Sequence, residues 1–314
     1  MPGAALVNRR SPLPSPRPRR GAGAALQRVL PAVIIAIITA ADTPTVMARP
    51  QQQVVIEAPA PAGDTIAGAR EPAQSDGTGW LVRLNTLRET AKLPAVSEAP
   101  AWSQGCALHA EYLVRNQTYG HDQTPGNPWY TAEGAECGRS GNVISGRMSK
   151  GMAPYTQEAM VDAWMAAPFH GLGFINPGLS TVAFGQHAEV EDDLRYWAAT
   201  LDILRGLSPA QQTQYPVMTP SDGTSVWLTR YAGYEHPDPL TACPGYTIEA
   251  GLPILLLTGN GAGTPQVASS QVLQNGQPLE HCVLTEATYS NPDPGAQQLA
   301  RLVLGFQDAL VIIP

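Results

Sequence analysis

The chain has 314 residues, enough for two domains of ordinary size, and its 43% hydrophobic share excludes wholesale disorder. Only 14% of the residues are charged, whereas glycine and proline contribute 30 each. The net charge is −7, but the first 48 residues carry six arginines against one aspartate. The rest of the chain is therefore strongly acidic and lacks the basic face that nucleic-acid binding requires, so nucleic acid is excluded as a partner.

Residues 1–48 have the pattern of a signal peptide. An arginine-rich start precedes an apolar run over residues 29–41, which is shorter than the roughly 20 residues of a membrane-spanning helix. Val46 and Ala48 place small residues before a predicted cleavage site at Arg49. We expect a secreted or cell-surface protein with no integral membrane domain once the signal is removed; a retained signal anchor is the alternative.

The next segments are predicted in chain order from composition and periodicity. Residues 49–77 are rich in Pro, Ala and Gln, which is typical of a flexible linker. Helical spacing of apolar residues predicts a helix from Gly79 to about residue 92, a second after Pro100 and a third over 156–166. Residues 119–138, with several Gly, Asn and Pro, are predicted as a loop.

Strands dominate the rest of the chain. Residues 181–186 and 196–204 are strand-like, and an acidic loop at 189–193 divides them. Helices followed by strands predict an α+β arrangement up to residue 205. The later region is predicted as all-β, with Asn275-Gly276 as a hairpin turn and one helical segment. Its strands are predicted at 225–231, 253–258, 266–273, 279–284 and 309–313, and its helix at 294–305.

This later region, 206–314, is predicted to be a small sandwich of the immunoglobulin-like kind. The chain stops on a fully apolar strand at 309–313. An apolar strand left at a sheet edge promotes aggregation, which suggests that the domain lacks a final hairpin.

The four cysteines indicate an oxidising compartment. They fall into two groups, so we expect the pairs Cys106–Cys137 and Cys243–Cys282, although four cysteines allow three connectivities. A zinc site is the alternative, but no two cysteines have the C-x-x-C spacing typical of one.

A succession of short motifs carries a family resemblance. In order they are Leu84-Asn85-x-x-Arg88, Gly120-His121, Gly141-Asn142-Val143-Ile144, Trp164 with Pro168-Phe169-His170, Ile175-Asn176-Pro177, and Phe184-Gly185 before Tyr196-Trp197. This order resembles the CAP superfamily (cysteine-rich secretory proteins, antigen 5 and pathogenesis-related proteins, the SCP domain), which has many exported bacterial members. The resemblance implies a CAP domain over 78–205 with an α-β-α sandwich.

The resemblance also implies a cleft that holds two histidines and two acidic residues. The histidines match His121 and His170 by position. The first acidic position falls in the stretch Ser140-Gly141-Asn142 and the second falls on Ala167, so both carboxylates are absent. Stable zinc sites usually have three or four protein ligands. A divalent cation, Zn or Mg, at His121 and His170 therefore needs a replacement carboxylate, for which the candidates are Asp122, Glu133, Glu136 and Glu158.

Other readings of these residues stay open. His121 either serves the cleft or caps local backbone, and His170 either serves the cleft or anchors the turn after the preceding helix. Trp129 and Tyr130 either line a ligand surface or fix their polar loop to the body. His109 shares a helix face with apolar residues and is predicted to be a core histidine.

The first functional hypothesis is an exported, non-catalytic protein that binds a lipid, glycan or protein through a degenerate two-histidine cleft. The alternative is a metal-dependent hydrolase or peptidase in which His121 and His170 hold the cation and Glu158 acts as base. A third is a structural role, with residues 206–314 mediating attachment. No G-x-S-x-G or H-E-x-x-H motif occurs, so no catalytic residue is assigned.

Overall fold

A computed structural model of the chain describes residues 56–58, 79–208, 214–233 and 235–314. The predicted signal peptide and all of the predicted linker except residues 56–58 lie outside the described residues. The described residues belong to one compact unit.

The first part of the chain alternates helices with the strands of one sheet. Its elements are α1 Gly79–Thr90, β2 Ser97–Glu98, α2 Pro100–Arg115, α3 Ala132–Arg139, β3 Gly141–Ser149, α4 Gln157–Met165, α5 Pro168–Phe174, β4 Thr181–Glu191 and β5 Leu194–Asp202, after β1 at Ile56–Ala58. The three predicted helices are confirmed as α1, α2 and α4. Helices α3 and α5 and strand β3 were not predicted.

Helix α3 corrects the prediction of a continuous loop over 119–138. The hydroxyl of Thr131 accepts a hydrogen bond from the Gly134 N–H at 3.0 Å, which caps the helix. The helix is short and contains two glycines, so its sequence shows little apolar periodicity. The acidic segment 189–193 is also not simply a loop: β4 and β5 pair from Ala183–Asp202 to Glu191–Leu194, and only a tight turn with Asp192 at φ 54° joins them.

The sheet has helices on both faces. Its strand order is β2-β4-β5-β3. Val182 and Phe184 of β4 pack into a core with α1, α4 and α5, whereas Ala183 faces the opposite side, where it packs near α2. This alternation across β4 follows from the two-residue period of a strand. The fold class is therefore α+β as predicted, with an α-β-α layer order.

The later part of the chain forms small sheets. Its elements are β6 Val217–Thr219, a short 3₁₀ turn at Pro239–Ala242, β7 Ile254–Leu257, β8 Val272–Gln274, β9 Gln277–Leu279, β10 Cys282–Thr285, α6 Pro294–Gly305 and β11 Ala309–Ile313. One sheet has the order β10-β11-β7-β6 and the other β1-β8-β9. The predicted immunoglobulin-like sandwich is not confirmed.

Several details of this later part are nevertheless as predicted. Asn275 and Gly276 have positive φ and join β8 to β9, and α6 has the predicted bounds. The predicted strand at 225–231 is wrong, because the described backbone there makes only an isolated bridge at Arg230. The expected exposed edge at 309–313 is also wrong. Strand β11 lies between β10 and β7, and all five of its residues are buried.

One apolar core joins the two parts. It contains Trp80 and Leu84 of α1 together with Leu255 of β7 and Val311 of β11. The Trp227 indole donates a hydrogen bond to Asp162 of α4 at 3.1 Å. The later chain thus packs on the same helical layer that holds α5.

Both predicted disulfides are present. Cys106–Cys137 joins α2 to α3, and Cys243–Cys282 joins the end of the 3₁₀ turn to β10. The described residues contain no free cysteine. None of the helices in the described ranges is long and apolar enough to cross a membrane.

Candidate functional site

His121 lies in the loop before α3 and is exposed. Its Nδ1 is 2.9 Å from the carbonyl oxygen of Gly138, in the last turn of α3. Because a carbonyl can only accept, the ring must donate from Nδ1. In the neutral ring Nε2 then carries a lone pair, and it makes no hydrogen bond to any described residue.

The buried ring of His109 holds this loop in position. The Gln123 amide lies 3.3 Å from its Nδ1, and its Nε2 is 3.1 Å from the Gly120 carbonyl oxygen. The ring therefore accepts at Nδ1 and donates from Nε2, as a satisfied core histidine does, which confirms its predicted role. Burial lowers the pKa of His109 below its ordinary value.

Gly138 makes the close packing around His121 possible. A Cβ at this position would lie 2.3 Å from Cε1 of His109 and 2.5 Å from the backbone oxygen of His121. Both distances are far below van der Waals contact. Only glycine therefore allows α3, His109 and His121 to approach this closely.

His170 lies in the first turn of α5, where the helix cannot cap itself. Its N-cap residue is Ala167, which has no side-chain acceptor. Glu235, from the later part of the chain, takes this place: its Oε1 accepts from the backbone N–H of His170 at 2.9 Å and lies 2.7 Å from Nδ1 of the same residue. The His170 side chain is 17% exposed and that of Glu235 is fully buried.

Burial raises the pKa of Glu235, and the hydrogen bonds from His170 oppose that rise. The His170 ring, like that of His121, has its Nδ1 engaged and its Nε2 without a hydrogen bond to a described residue.

A short segment at the start of β3 connects the two histidines. Gly138 contacts His121, and the buried Asn142 donates from Nδ2 to the backbone oxygen of His170 at 3.3 Å. Gly138 and Asn142 are four positions apart in the sequence, a span of at most about 14 Å. Asn142 thus connects the segment that contacts His121 with the backbone of His170.

Glu158 lies elsewhere, in the first turn of α4, and its side chain faces the start of α1. Its Oε1 is 1.7 Å from the position that a Cβ on Gly79 would occupy, and the residue is buried. It makes no hydrogen bond with either histidine in the described residues. The carboxylate proposed as a base thus faces the beginning of a helix, where a negative charge is favoured.

Trp129 and Tyr130 lie on the surface, 41% and 37% exposed. The Arg115 guanidinium stacks over the indole of Trp129 at 4.5 Å. The side-chain oxygen of Gln123 accepts a hydrogen bond from the Thr131 N–H at 2.9 Å. This bond ties the segment that follows Tyr130 to the segment that follows His121. Neither aromatic ring is inserted into the core.

The donor atoms do not fit a metal with three or more protein ligands. Among the described residues, three His, Cys, Asp or Glu donors lie within 4.8 Å of one another only at Cys106, Cys137 and Asp202. The two sulfurs there form a disulfide, so they are not thiolate ligands. No such group of described residues includes His121 or His170.

A groove of about 320 Å³ between α2 and α3 is separate from the histidines. Arg205 stacks on Trp102 there at 4.6 Å and pairs with Glu136 and Asp202. The charge of Arg205 is thus already balanced by these two carboxylates. The residues lining the groove are Ala101, Trp102, Gly105, Glu133, Glu136 and Arg205.

Glu235 is the residue that the sequence reasoning missed. The carboxylates predicted as candidates, Asp122, Glu133, Glu136 and Glu158, all lie near the motifs. Glu235 follows His170 by 65 residues and belongs to no recognised motif. Its only sequence signal is an acidic residue directly before His236-Pro237, which is too common to point to a site.

The first part of the chain matches a known family model. Residues 81–200 match the model of the cysteine-rich secretory protein (CAP) family, a match over less than half of the chain. One solved structure that matches is an extracellular protein containing an SCP domain from Bacillus anthracis str. Ames, 14% identical, covering 38% of each chain at a TM-score of 0.24. That likeness is too distant to support an argument. No curated protein matches the chain.

Proposed function

We propose that the protein, whose residues 81–200 match the CAP family model, is an exported, non-catalytic binding protein whose ligand is held between His121 and His170. The observation that carries the proposal is shared by the two rings. Each has its Nδ1 hydrogen-bonded to an oxygen of the protein, and each leaves Nε2 without a partner among the described residues. Two acceptor nitrogens are therefore uncommitted among the described residues.

This arrangement selects ligands that carry hydrogen-bond donors. A neutral imidazole Nε2 accepts from a hydroxyl, an amine or an amide. The exposed rings of Trp129 and Tyr130 add apolar and aromatic surface in the neighbouring loop. Glycans, lipid head groups with hydroxyls and protein surfaces all offer these features. The net charge of −7 disfavours polyanions.

The placement of the carboxylates supports binding over hydrolysis. A hydrolytic site needs a base or a nucleophile near the substrate. Glu235 is fully buried against His170, and Glu158 faces the start of α1. Neither is placed to activate a water molecule between the two histidines.

Export is supported by the cysteines. All four in the chain are paired, and disulfides persist in oxidising compartments outside the cytosol. The arginine-rich, apolar start of the sequence also supports export, to the medium or to the cell surface.

The experiment compares variants that keep the tethers and remove the free nitrogens. In His121→Asn and His170→Asn the amide nitrogen takes the place of Nδ1, whereas the Nε2 position is lost. The double variant H121N/H170N and the control H187N/H281N are screened against a glycan array and against phosphatidylcholine vesicles containing a sterol.

We expect at least about tenfold weaker binding for H121N/H170N, equivalent to about 1.4 kcal/mol or more. The control H187N/H281N, whose histidines lie outside this region, should bind like the wild type. Wild-type-like binding by H121N/H170N would contradict the proposal. Peptide hydrolysis that is lost in the same variant would favour the hydrolase instead.

A further inference from the structure

The buried carboxyl group of Glu235 has an unusual environment. Its side chain is fully buried, its Oε1 contacts two nitrogens of His170, and its Oε2 has no hydrogen-bond partner among the described residues. A buried carboxyl oxygen without a partner costs free energy, so its presence in a folded protein calls for a reason.

The two contacts to Oε1 fix how the His170 ring is oriented. The backbone N–H can only donate, so Oε1 is an acceptor there, at 2.9 Å. The ring nitrogen Nδ1 lies 2.7 Å from the same oxygen, a distance typical of a strong N–H···O bond to a carboxylate. With the main chain and the ring of one residue held by one oxygen, rotation of the ring about its side-chain bonds is restricted.

The other groups around Glu235 are acidic or neutral. Tyr231 and Tyr289 have their pKa values raised, mainly by burial and further by the charges of Glu235 and Asp238. The Tyr231 hydroxyl lies 3.4 Å from Asp238, and the Tyr289 hydroxyl donates to the backbone oxygen of Asp238. Glu235 therefore makes its stabilising hydrogen bonds with the first turn of α5, through His170 and the backbone N–H of Phe169.

We propose that Glu235 is a positioning residue: it holds His170 in the Nδ1–H tautomer and so presents Nε2 as the acceptor in the cleft. The part of the chain beyond the CAP match thus completes a site whose other residues lie within residues 81–200. The consequence for ligand binding rests on the function proposed above, whereas the tautomer assignment rests on the hydrogen bonds alone.

Nitrogen NMR of the histidine rings tests this in the full-length chain. Ring ¹⁵N shifts distinguish Nδ1–H from Nε2–H, and we expect Nδ1–H for His170 in the wild type at pH 8. Glu235→Gln keeps an acceptor oxygen and should keep that tautomer. Glu235→Ala removes the acceptor, and Nε2–H should become the major form.

Asp308→Asn is the matched control. Asp308 is a buried carboxylate that accepts from the backbone N–H groups of Gly261 and Gly263, and none of its hydrogen bonds involves His170. This variant should lose stability in the later part of the chain without altering the His170 ring. An Nε2–H ring in the wild type, or an unchanged ring in E235A, would overturn the proposal. If E235A does not fold, the wild-type and E235Q spectra still decide.

The two proposals can fail separately. The NMR result is read in the free protein, whereas the H121N/H170N assay measures binding to glycans or vesicles. An Nδ1–H ring together with unchanged binding in H121N/H170N would leave Glu235 as a positioning residue and remove the binding role. An Nε2–H ring together with weakened binding in H121N/H170N would remove the positioning role of Glu235 and keep the binding role.

Discussion

The two histidines of the cleft are held by different kinds of contact. His121 lies in an exposed loop, and its ring is tethered to the backbone of Gly138, 17 residues away in the same domain. His170 lies on a half-buried helix turn, and its ring is tethered to a buried carboxylate 65 residues further along the chain. Local packing sets one half of the site, and long-range packing sets the other.

This difference makes the two halves separable by mutation. Changes in α2 and α3 should disturb His121 and leave His170 in place. Changes in the later sheet should act on His170 first, because β7 and α6 pack against α5. A variant that perturbs one half of the site can therefore use the other half as its internal reference.

Removal of the Cys106–Cys137 disulfide should have the largest effect. It closes a loop of 31 residues next to Gly138, and a disulfide of this span contributes about 3–4 kcal/mol. We expect C106A/C137A to lose about that much free energy of unfolding and to alter the His121 ring signal. Urea denaturation and ring NMR measure both. C243A/C282A should lose a similar free energy of unfolding but leave the His121 ring signal unchanged. A changed His121 signal in that variant would mean that the two halves are not separate.

Leu255→Ala should weaken the other half by about 3 kcal/mol, because it removes a fully buried side chain of β7. Its Cδ1 lies 3.0 Å from the position that a Cβ on Gly171 of α5 would occupy. Hydrogen exchange should therefore quicken at the His170 amide and stay unchanged around His121. Leu113→Ala, which truncates a buried side chain of α2, is the matched variant. In this variant exchange should quicken around His121 and stay unchanged at the His170 amide. The same pattern in both would argue against separable halves.

Gly138→Ala should cost about 2 kcal/mol, because the new methyl group overlaps the His109 ring and the His121 backbone. Thermal unfolding and the His121 ring signal report the effect. Gly151→Ala is the control, since nothing lies within 4 Å of a Cβ at that position. Wild-type stability in G138A would show that α3 and the loop are not tightly packed.

The smallest effect concerns pH. Burial lowers the pKa of His109 from 6.5, so the unfolded ring binds a proton more readily than the folded one. The stability that the neutral ring contributes is therefore complete above pH 6.5 and is lost as the pH falls through the lowered pKa. Between pH 7 and 5 the wild-type midpoint should fall more steeply than that of His109→Gln, which keeps a donor to Gly120. Burial raises the pKa values of Asp202 and Glu235, which gives the opposite slope, but in both proteins alike.

Sequence reasoning succeeded where the signal is local. Apolar periodicity located α1, α2 and α4, the Asn275-Gly276 turn was evident from its positive φ requirement, and the grouping of cysteines gave the disulfides. The order of the motifs gave the resemblance to the CAP family, which the family-model match over residues 81–200 supports, and with it His121 and His170 as candidates.

It failed where long-range contacts decide. Helix α3 is short and rich in glycine, and the interior position of β11 depends on partners found at β7 and β10. Glu235 carries no periodicity or spacing that links it to His170. Its role arises only from the packing of the later chain against α5, and no pattern within either segment encodes that.

Neutron diffraction from crystals grown in heavy water at pH 8 tests the central claim most directly, because it locates the deuterons on both imidazoles. We predict deuterium on Nδ1 of His121 and His170, and two bare Nε2 atoms that face the same solvent-filled region. Deuterium on Nε2 of either ring, or rings that point into separate interiors, would contradict this account.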